Sequence, residues 1–317
     1  MTLLGIDLGG TKLAAGVFNE SGKILSKEIV PLEGRKGKDV GELITEAITK
    51  HLKASSIESI GVCVPGISRI KSGTVWAPNI PGWDDYPLMD EIKQATANVS
   101  VTIDSDRACY ILGEHWQGAA KQINDAIFLA VGTGIGAGIL VNGKVLRGAH
   151  DIAGAVGWMA LNRPFKNKYT ACGCFEYHAS GEGIAKMARE ILHGQKDYSG
   201  ELKKINPENI TASNIFSAFE KNDLVAVLVI QQCIECWGMA VANLVSIFNP
   251  EKIIFGGGIF GPAVKFIDAI GEEAAKWAQP ISITQVSLEP SALGGDAGMY
   301  GAGFLALQNL NHQTGYV

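Results

Sequence analysis

The chain has 317 residues, of which 47% are apolar and 19% charged, and its formal net charge at pH 7 is -5. This length exceeds what one hydrophobic core usually organises, so we expect two lobes. The sequence has no lysine and arginine cluster and no basic tail, which excludes proteins that bind nucleic acid through its phosphate backbone.

The expected lack of a targeting signal and the number of cysteines point to the cytoplasm. The start, "MTLLGIDLGGTK", has neither a positively charged beginning nor a long apolar run, so we expect no signal peptide. Six cysteines without an export signal are typical of free thiols in a reducing compartment. The most apolar stretch, 224–248, contains polar residues and therefore predicts a buried helix rather than a membrane span. These residues are Gln231, Gln232, Glu235 and Asn243. Cys233 and Cys236 fall on one face of that helix, where small buried residues are expected.

One pattern occurs twice along the chain. In residues 3–30, a strand runs into Gly9-Gly10-Thr11, a second strand ends at a turn over 20–22, and a third strand follows. Residues 126–147 repeat this order, with turns at Gly132-Thr133-Gly134 and Asn142-Gly143. Tight glycine turns between β-type runs indicate hairpins. The repeat predicts two similar lobes, each opening with an antiparallel meander and joined near residues 118–124.

The segments after each meander alternate between helix and strand patterns. Helices are predicted over 38–54, 86–97, 106–120, 180–193, 211–220, 223–247 and 262–278. Strands are predicted over 59–66, 99–104, 252–258 and 283–288. This mixed order indicates an α/β fold in which helices pack on mixed sheets.

Three glycine turns are candidate phosphate sites. Glycine lets the backbone approach a ligand and leaves N–H groups free to point at an anion. Two of the turns hold equivalent positions in the repeat, and the third lies between a strand and a helix, where nucleotides often bind. The residues are Gly9, Gly10, Thr11 and Lys12; Gly132, Thr133 and Gly134; and Gly256, Gly257 and Gly258. None of the turns fits a P-loop or a Rossmann pattern, and any one alone can be only a turn.

Two acidic residues follow apolar strands. Asp7 comes just before the first glycine turn, where it can hold Mg²⁺ through water or stabilise the turn. Ser105 and Asp106 start the helix after "VSVTID", so both are natural N-caps. Asp106 is also placed where a general base would face a cleft. Composition alone leaves capping and catalysis open.

In this order, the motifs resemble a sugar kinase of the ROK family, within the actin/hexokinase-like superfamily. "GIDLGGTKLAAGVF" is similar to its first phosphate motif and "GTGIGAGIL" to its second. "SIFNPEKIIFGGGI" resembles its adenosine loop, "LGGDAGMYGAGFLAL" its C-terminal helix, and "SDRACYILGE" its Asn-Asp-x6-Gly-Glu segment. The similarity covers essentially the whole chain.

The resemblance implies a fold and a mechanism. The two lobes would have actin/ribonuclease-H-like topology, with an ATP cleft between them. One lobe would span 1–119, with a helix at about 297–310 packing back on it, and the other 120–296. ATP phosphates would lie between the first two glycine turns, adenosine near Gly256–Gly258, and Mg²⁺ on Asp7 through water. Asp106 would take the proton from a sugar hydroxyl, and the protein would be a homodimer.

The sugar contacts of the family match only in part. Asn79, Asp106 and Glu176 match positions that usually contact the sugar. Ser105 stands in place of the usual Asn, Ala155 in place of a Glu and Trp158 in place of a His. That Glu and that His grip the hydroxyls around the anomeric carbon, so we expect a sugar that differs or carries a substituent at that edge. The alternative for Trp158 is that it fills the core instead of lining the sugar pocket. Arg107, beside Asp106, either meets an acidic substrate or points to solvent.

The segment "ACGCFEYHASGEG" (171–183) is a candidate metal or nucleophile site, because Cys172, Cys174 and His178 are residue types that zinc prefers. The family commonly binds a structural zinc through the His replaced by Trp158 and a CxCGxxGC run that is shortened here. A closed zinc site needs four ligands. We therefore expect no structural zinc, and no pattern places a base beside Cys172.

The sequence thus predicts an ATP-dependent kinase acting on a hexose-like sugar or sugar derivative. A non-catalytic sugar- or nucleotide-binding sensor of the same fold is the alternative. A ROK repressor would need a helix-turn-helix ahead of the first strand.

Overall fold

A computed structural model describes residues 1–96, 99–195 and 197–314, with side chains to 311. The strands are β1 Thr2–Leu8, β2 Lys12–Asn19, β3 Ile24–Pro31, β4 Ser59–Val64, β5 Ile67–Arg69, β6 Thr74–Trp76, β7 Ser100–Ser105, β8 Ala126–Val131, β9 Ile135–Val141, β10 Lys144–Val145, β11 Lys252–Gly256 and β12 Ser287–Pro290. The α-helices are α1 Lys38–Ala54, α2 Leu88–Thr96, α3 Asp106–Gln117, α4 Cys174–Ala179, α5 Gly181–Gly194, α6 Ala212–Phe219, α7 Leu224–Phe248, α8 Ile267–Ala275, α9 Pro280–Ile283 and α10 Ala297–Thr314.

The chain divides into two compact units. The first comprises 1–123, 138–153 and 291–317, and the second comprises 124–137 and 154–290. The chain therefore leaves the first unit more than once and returns to it for α10.

Two five-stranded sheets arrange their strands in the same order, counted from the first strand of each unit. The first is β3-β2-β1-β4-β7 and the second β10-β9-β8-β11-β12. In the first sheet β1, β4 and β7 run parallel, while β2 pairs antiparallel with β1 and β3. In the second, β8, β11 and β12 run parallel and β10 pairs antiparallel with β9. The repeat predicted from the glycine turns and the mixed α/β class predicted from the alternation of helices and strands are thereby confirmed.

In the first unit, helix α1 follows its hydrophobic period. Its buried positions include Val40, Ile44, Ala47 and Ile48, which recur at three- and four-residue spacing and face the sheet. Asp39 lies in its first turn and Lys53 in its last, the ends that suit their charges. The predicted bounds 38–54 match those of the structure.

Glycines let helix α10 lie directly on the first sheet. A Cβ at Gly61 would come within 1.9 Å of the Ala302 carbonyl oxygen, and one at Gly5 within 2.6 Å of the Met299 carbonyl oxygen. Only residues without a side chain allow backbones to approach this closely. The start of α10 is consequently fixed against strands β1 and β4.

In the second unit, α7 is the central helix. Asp223 caps its start by accepting from the N–H groups of Val225 (3.0 Å) and Ala226 (3.1 Å), and Asn249 ends it in the left-handed conformation. Among the described residues, α7 alone has the length and apolar content to cross a membrane, and most of it is buried within the unit. Burial of Cys233 and Trp237 agrees with the predicted core helix.

The segment before β12 differs from its prediction. The helix predicted over 262–278 is a 3₁₀ turn over 262–266 followed by α8, and the strand predicted to begin at 283 begins at Ser287. The side chain of Gln279 accepts from the N–H groups of Ile281 and Ser282, both at 2.8 Å, and Pro280 starts a helical turn. This local cap displaces the strand by four residues.

Candidate active site

Asp7 is the penultimate residue of β1, two residues before Gly9, where the first glycine turn begins. The turn is closed by the Gly9 N–H, which donates to the Lys12 carbonyl at 2.9 Å, and Gly10, Thr11 and Lys12 are exposed. Backbone N–H groups in such a turn are available to an anion.

Burial is the main cause that raises the pKa of Asp7 to about 6. A hydrogen bond to Cys63 and the charge of Lys12 lower the pKa, and the charge of Asp296 raises it further. A Cβ at Gly298 would lie 2.6 Å from Asp7 Oδ2, so the first turn of α10 packs against this carboxylate. The Asp7 carboxylate therefore lies beside the glycine turn, where packing against α10 limits its access to water.

Asp106 is the first residue of α3, immediately after β7. Ser105 is the N-cap, since its hydroxyl accepts from the Ala108 N–H at 3.4 Å. Asp106 Oδ1 accepts from the Arg107 N–H at 2.8 Å. Capping thus falls to Ser105, and the second oxygen of Asp106 stays available for a proton.

The pKa of Asp106 is raised to about 6, chiefly by burial. The Arg107 charge and N–H lower it, and the charge of Asp7 raises it. A carboxyl with this pKa is about 90% ionised at pH 7 yet basic enough to accept a proton in a reaction.

Hydrogen bonds and an ion pair within the first unit hold Arg107 and Arg147. Arg107 donates to the Gly66 carbonyl (3.3 Å) and the Ile152 carbonyl (3.4 Å), so it joins two loops of the first unit. Arg147 forms an ion pair with the buried Asp104, two residues before Asp106. Asn79 is exposed. Of the two alternatives for Arg107, an acidic substrate or solvent, the second describes it only in part: the side chain is half-buried, and its guanidinium donates to two carbonyl groups.

In the second unit, the glycine turn 132–134 is supported from α4 and α5. The Gly132 N–H donates to the Gly134 carbonyl at 2.9 Å, and the Gly181 N–H donates to the Gly132 carbonyl at 2.8 Å. Glu176 Oε2 accepts from the Ile135 N–H at 2.7 Å. Burial raises the pKa of Glu176, while that N–H and Lys186 lower it. Glu176 therefore touches the end of the turn, a role that its motif did not indicate.

Trp158 lies on a single turn beside Glu176. Its side chain is 58% exposed. A Cβ at Gly157 would lie 3.0 Å from Glu176 Cβ, and one at Gly173 would lie 2.5 Å from Trp158 Cα. The alternative that Trp158 fills core is wrong, because the backbone packs here while the indole stays in solvent.

A cavity of about 520 Å³ adjoins the third glycine turn. Gly258, Ile259 and Pro262 form one side of it. Helix α6 forms the other side with Ser213, Phe216 and Ser217. The cavity is open, and its lining is mixed: Phe216 and Ile259 offer apolar surface, while two serines and Glu220 offer polar groups. Such a lining can accept a flat heteroaromatic group with hydrogen-bonding edges. The sequence predicted α6 but carried no signal that places it beside Gly258.

The cysteine segment does not form a zinc site. Cys174 is buried, and Cys172 is half-buried with a pKa raised mainly by burial. Both nitrogens of His178 have partners: Nε2 lies 3.0 Å from the Tyr169 hydroxyl and Nδ1 lies 3.2 Å from Met187 Sδ. Within the described ranges, no three His, Cys, Asp or Glu side chains are grouped to hold a metal ion. The donor set present does not fit zinc, and a thiol with a raised pKa is a poor nucleophile.

Comparison with known proteins decides the family. The sequence model of the ROK family matches residues 3–309. The chain belongs to the ROK family. The resemblance seen in its motifs is thereby confirmed.

Among relatives of this ROK protein, the glucokinase of Halalkalibacterium halodurans is 32% identical, covering 97% of this chain and 96% of its own. The N-acetyl-D-glucosamine kinase of Escherichia coli O127:H6 is 28% identical, covering 96% and 98%. Among solved structures, the ROK glucokinase of Streptomyces griseus in complex with glucose and AMPPNP is 28% identical and covers 97% of this chain and 100% of its own, with a TM-score of 0.77. The expected actin/hexokinase-like fold of this ROK protein is confirmed by that similarity.

Proposed function

We propose that this ROK protein is a cytoplasmic, ATP-dependent kinase of a hexose-like sugar or sugar derivative, with Asp106 as the general base. The observation that carries the proposal is the environment of Asp106. Its Oδ1 is held by the Arg107 N–H, and burial raises its pKa to about 6. The relatives named above support sugar phosphorylation as the reaction class.

In the proposed reaction, Asp106 takes the proton of a sugar hydroxyl as the sugar oxygen forms a bond to the γ-phosphorus of ATP. The bond from that phosphorus to the oxygen bridging to the β-phosphate breaks, and ADP leaves. Phosphoryl transfer depends mainly on positioning and charge neutralisation. Asp106 supplies the proton acceptor, and the backbone N–H groups of the glycine turns supply positioning.

For the nucleotide, we propose that its phosphates bind at Gly9–Lys12 and at Gly132–Gly134. Adenosine binds at Gly256–Gly258, with the base in the cavity lined by Phe216 and Ile259. Asp7 fits Mg²⁺ held through water, because its carboxylate lies beside the glycine turn and within reach of the negative charge of Asp296. When bound, Mg²⁺ would neutralise phosphate charge.

For the sugar, we propose contacts from Asn79, Ser105, Asp106, Glu176 and Trp158. The exposed indole of Trp158 offers a flat apolar surface where the family has a hydrogen-bonding His. Since Ala155 also removes a carboxylate, this edge binds an apolar or substituted sugar better than a free hydroxyl. The preferred substrate is thus a derivative substituted near the anomeric carbon.

A coupled assay of ADP release tests the activity with glucose, N-acetylglucosamine and methyl and aryl glucosides, each with an Asp106→Asn control. The kinase proposal expects sugar-dependent turnover that Asp106→Asn loses. Sugar or nucleotide binding without sugar-stimulated turnover would instead support the non-catalytic sensor, which the changes at Ala155 and Trp158 favour.

We propose a homodimer, because Leu224 (76%), Val227 (37%) and Leu228 (48%) lie together as exposed apolar side chains at the start of α7. Exposed apolar side chains along one helix mark interaction surfaces. Light scattering behind gel filtration measures the mass directly, and a mass of 33.6 kDa would contradict the dimer.

A further inference from the structure

Glu114 is a fully buried carboxylate in the last turn of α3, with 0% of the residue exposed. It accepts from the N–H groups of Ala119 (2.6 Å), Leu293 (3.1 Å) and Ala292 (3.3 Å), and from the Ser291 hydroxyl. A buried carboxylate is costly without such donors. Four donors converge on it, so its position and theirs are fixed together.

The donors come from two chain segments that are far apart in sequence. Ala119 lies shortly before Ile123, where the chain leaves the first unit, and Ser291 is the residue at which it returns. Gly118 and Ala120 add backbone hydrogen bonds to the Glu114 carbonyl, both at 3.0 Å. Glu114 thus ties the departing and returning segments of the first unit to the end of α3.

From Ser291, hydrogen bonds continue toward Asp7. The Ser291 hydroxyl accepts from the Gly294 N–H at 2.8 Å, and the Asp296 N–H donates to the Leu293 carbonyl at 3.0 Å. Asp296 forms an ion pair with Lys27 at 2.7 Å. Two residues later, Gly298 packs on the Asp7 carboxylate. The segment 291–298 therefore connects Glu114 to the carboxylate beside the first glycine turn.

We infer that Glu114 is a positioning residue that holds residues 291–298, and with them the first turn of α10, against Asp7. It touches none of the reacting groups and acts through backbone N–H groups. The kinetic part of this inference rests on the proposed function, whereas the structural part does not.

The test is Glu114→Gln, which removes the charge and turns an amide NH₂ toward N–H donors. Asp223→Asn is the matched control, because buried Asp223 also accepts from three backbone N–H groups and one hydroxyl. Those donors are Val225, Ala226 and Glu201 N–H and the Tyr198 hydroxyl. The control lies in the second unit, away from residues 291–298 in the chain.

Hydrogen exchange of the free protein measures the structural effect. Glu114→Gln is expected to speed exchange of the Ala119, Ala292, Leu293 and Gly294 amides about tenfold or more, while Asp223→Asn leaves them unchanged. If exchange over 291–298 is unchanged in Glu114→Gln, the inference is overturned. It is also overturned if Glu114→Gln and Asp223→Asn lose protection over 291–298 to the same extent. Ser291→Ala replaces Glu114→Gln if that variant does not fold, and it should speed exchange at Gly294 while leaving Leu293 protected.

Kinetics measure the consequence for the reaction. In Glu114→Gln, the Mg²⁺ concentration for half-maximal rate should rise about tenfold, as for loss of a residue that orients a metal ligand, with the KM for sugar unchanged. An equal rise in the Mg²⁺ concentration for half-maximal rate and in the KM for sugar would contradict the positioning of Asp7 by Glu114. If the wild-type protein phosphorylates no sugar, the proposed function fails, and hydrogen exchange still decides the role of Glu114.

Discussion

Replacing Asp106 by asparagine should abolish the reaction and stabilise the fold. The neutral amide keeps the shape of the side chain, so it can still accept from the Arg107 N–H, but it takes no proton from a substrate. Burial raises the pKa of the Asp106 carboxyl, which means that the folded protein disfavours the charged form. Removing that charge should therefore raise the free energy of unfolding at neutral pH.

The magnitude follows from linkage. A carboxyl whose pKa is 3.8 in the unfolded chain and about 6 in the folded one destabilises the fold by up to about 3 kcal/mol at pH 7. This destabilisation develops as the pH rises from 4 through 6 and is absent below the unfolded pKa. Since Asp106 is only half-buried, solvent screening reduces this value, and we expect a gain of about 1–2 kcal/mol for Asp106→Asn at pH 7.

Urea unfolding at pH 7 and pH 4, without ATP, sugar or Mg²⁺, measures the gain. Asp39→Asn is the control, because Asp39 also lies in a first helical turn but is exposed. The gain should appear at pH 7, shrink toward pH 4 and be absent in Asp39→Asn. A destabilised Asp106→Asn, or a gain that does not depend on pH, would refute the argument that the carboxylate is strained by burial.

Three further predictions concern the site and the fold. Between pH 7 and pH 5, kcat/KM for the sugar should fall about tenfold as Asp106 becomes protonated, and a profile flat to pH 5 would exclude a base with a pKa near 6. The double variant Ala155→Glu with Trp158→His should gain about tenfold or more in glucose kcat/KM in the coupled assay; no gain would place the specificity elsewhere. Gly61→Ala should lose about 3 kcal/mol or more in urea unfolding, since its Cβ would lie 1.9 Å from a backbone oxygen, whereas Gly10→Ala, with open space around its Cβ, should lose little.

Sequence predicted those parts of the fold that depend on neighbouring residues. The repeated meanders follow from glycine turns between short apolar runs, and α1 follows from a regular hydrophobic period. The strand before Ser287 was misplaced because the side chain of Gln279 caps a helical turn that hydropathy does not reveal. Local pattern is informative where the local interaction decides the structure, and it fails where one side chain competes with it.

The residues that sequence missed act across long separations. Glu114 and Ser291 are 177 residues apart, and the hydrogen bond between them exists only after the first unit has folded. Phe216 likewise reaches the cavity at Gly258 only through the packing of α6 in the second unit. A helix pattern predicts that such residues are buried or exposed, but it does not predict which segment they meet.

Within the second unit, the geometry explains how the proposed sugar contacts can change while the proposed phosphate-binding turn is retained. Glu176 holds the turn by accepting from the Ile135 N–H, and this bond does not involve Ala155 or Trp158. The Trp158 turn packs beside Glu176 through the backbone at Gly157, which has no side chain to disturb that bond. Substitutions at 155 and 158 therefore alter the surface that we propose for a sugar without removing the support of residues 132–134. For that reason we expect the double variant at these positions to change which sugar is used while its KM for ATP stays near that of the wild type.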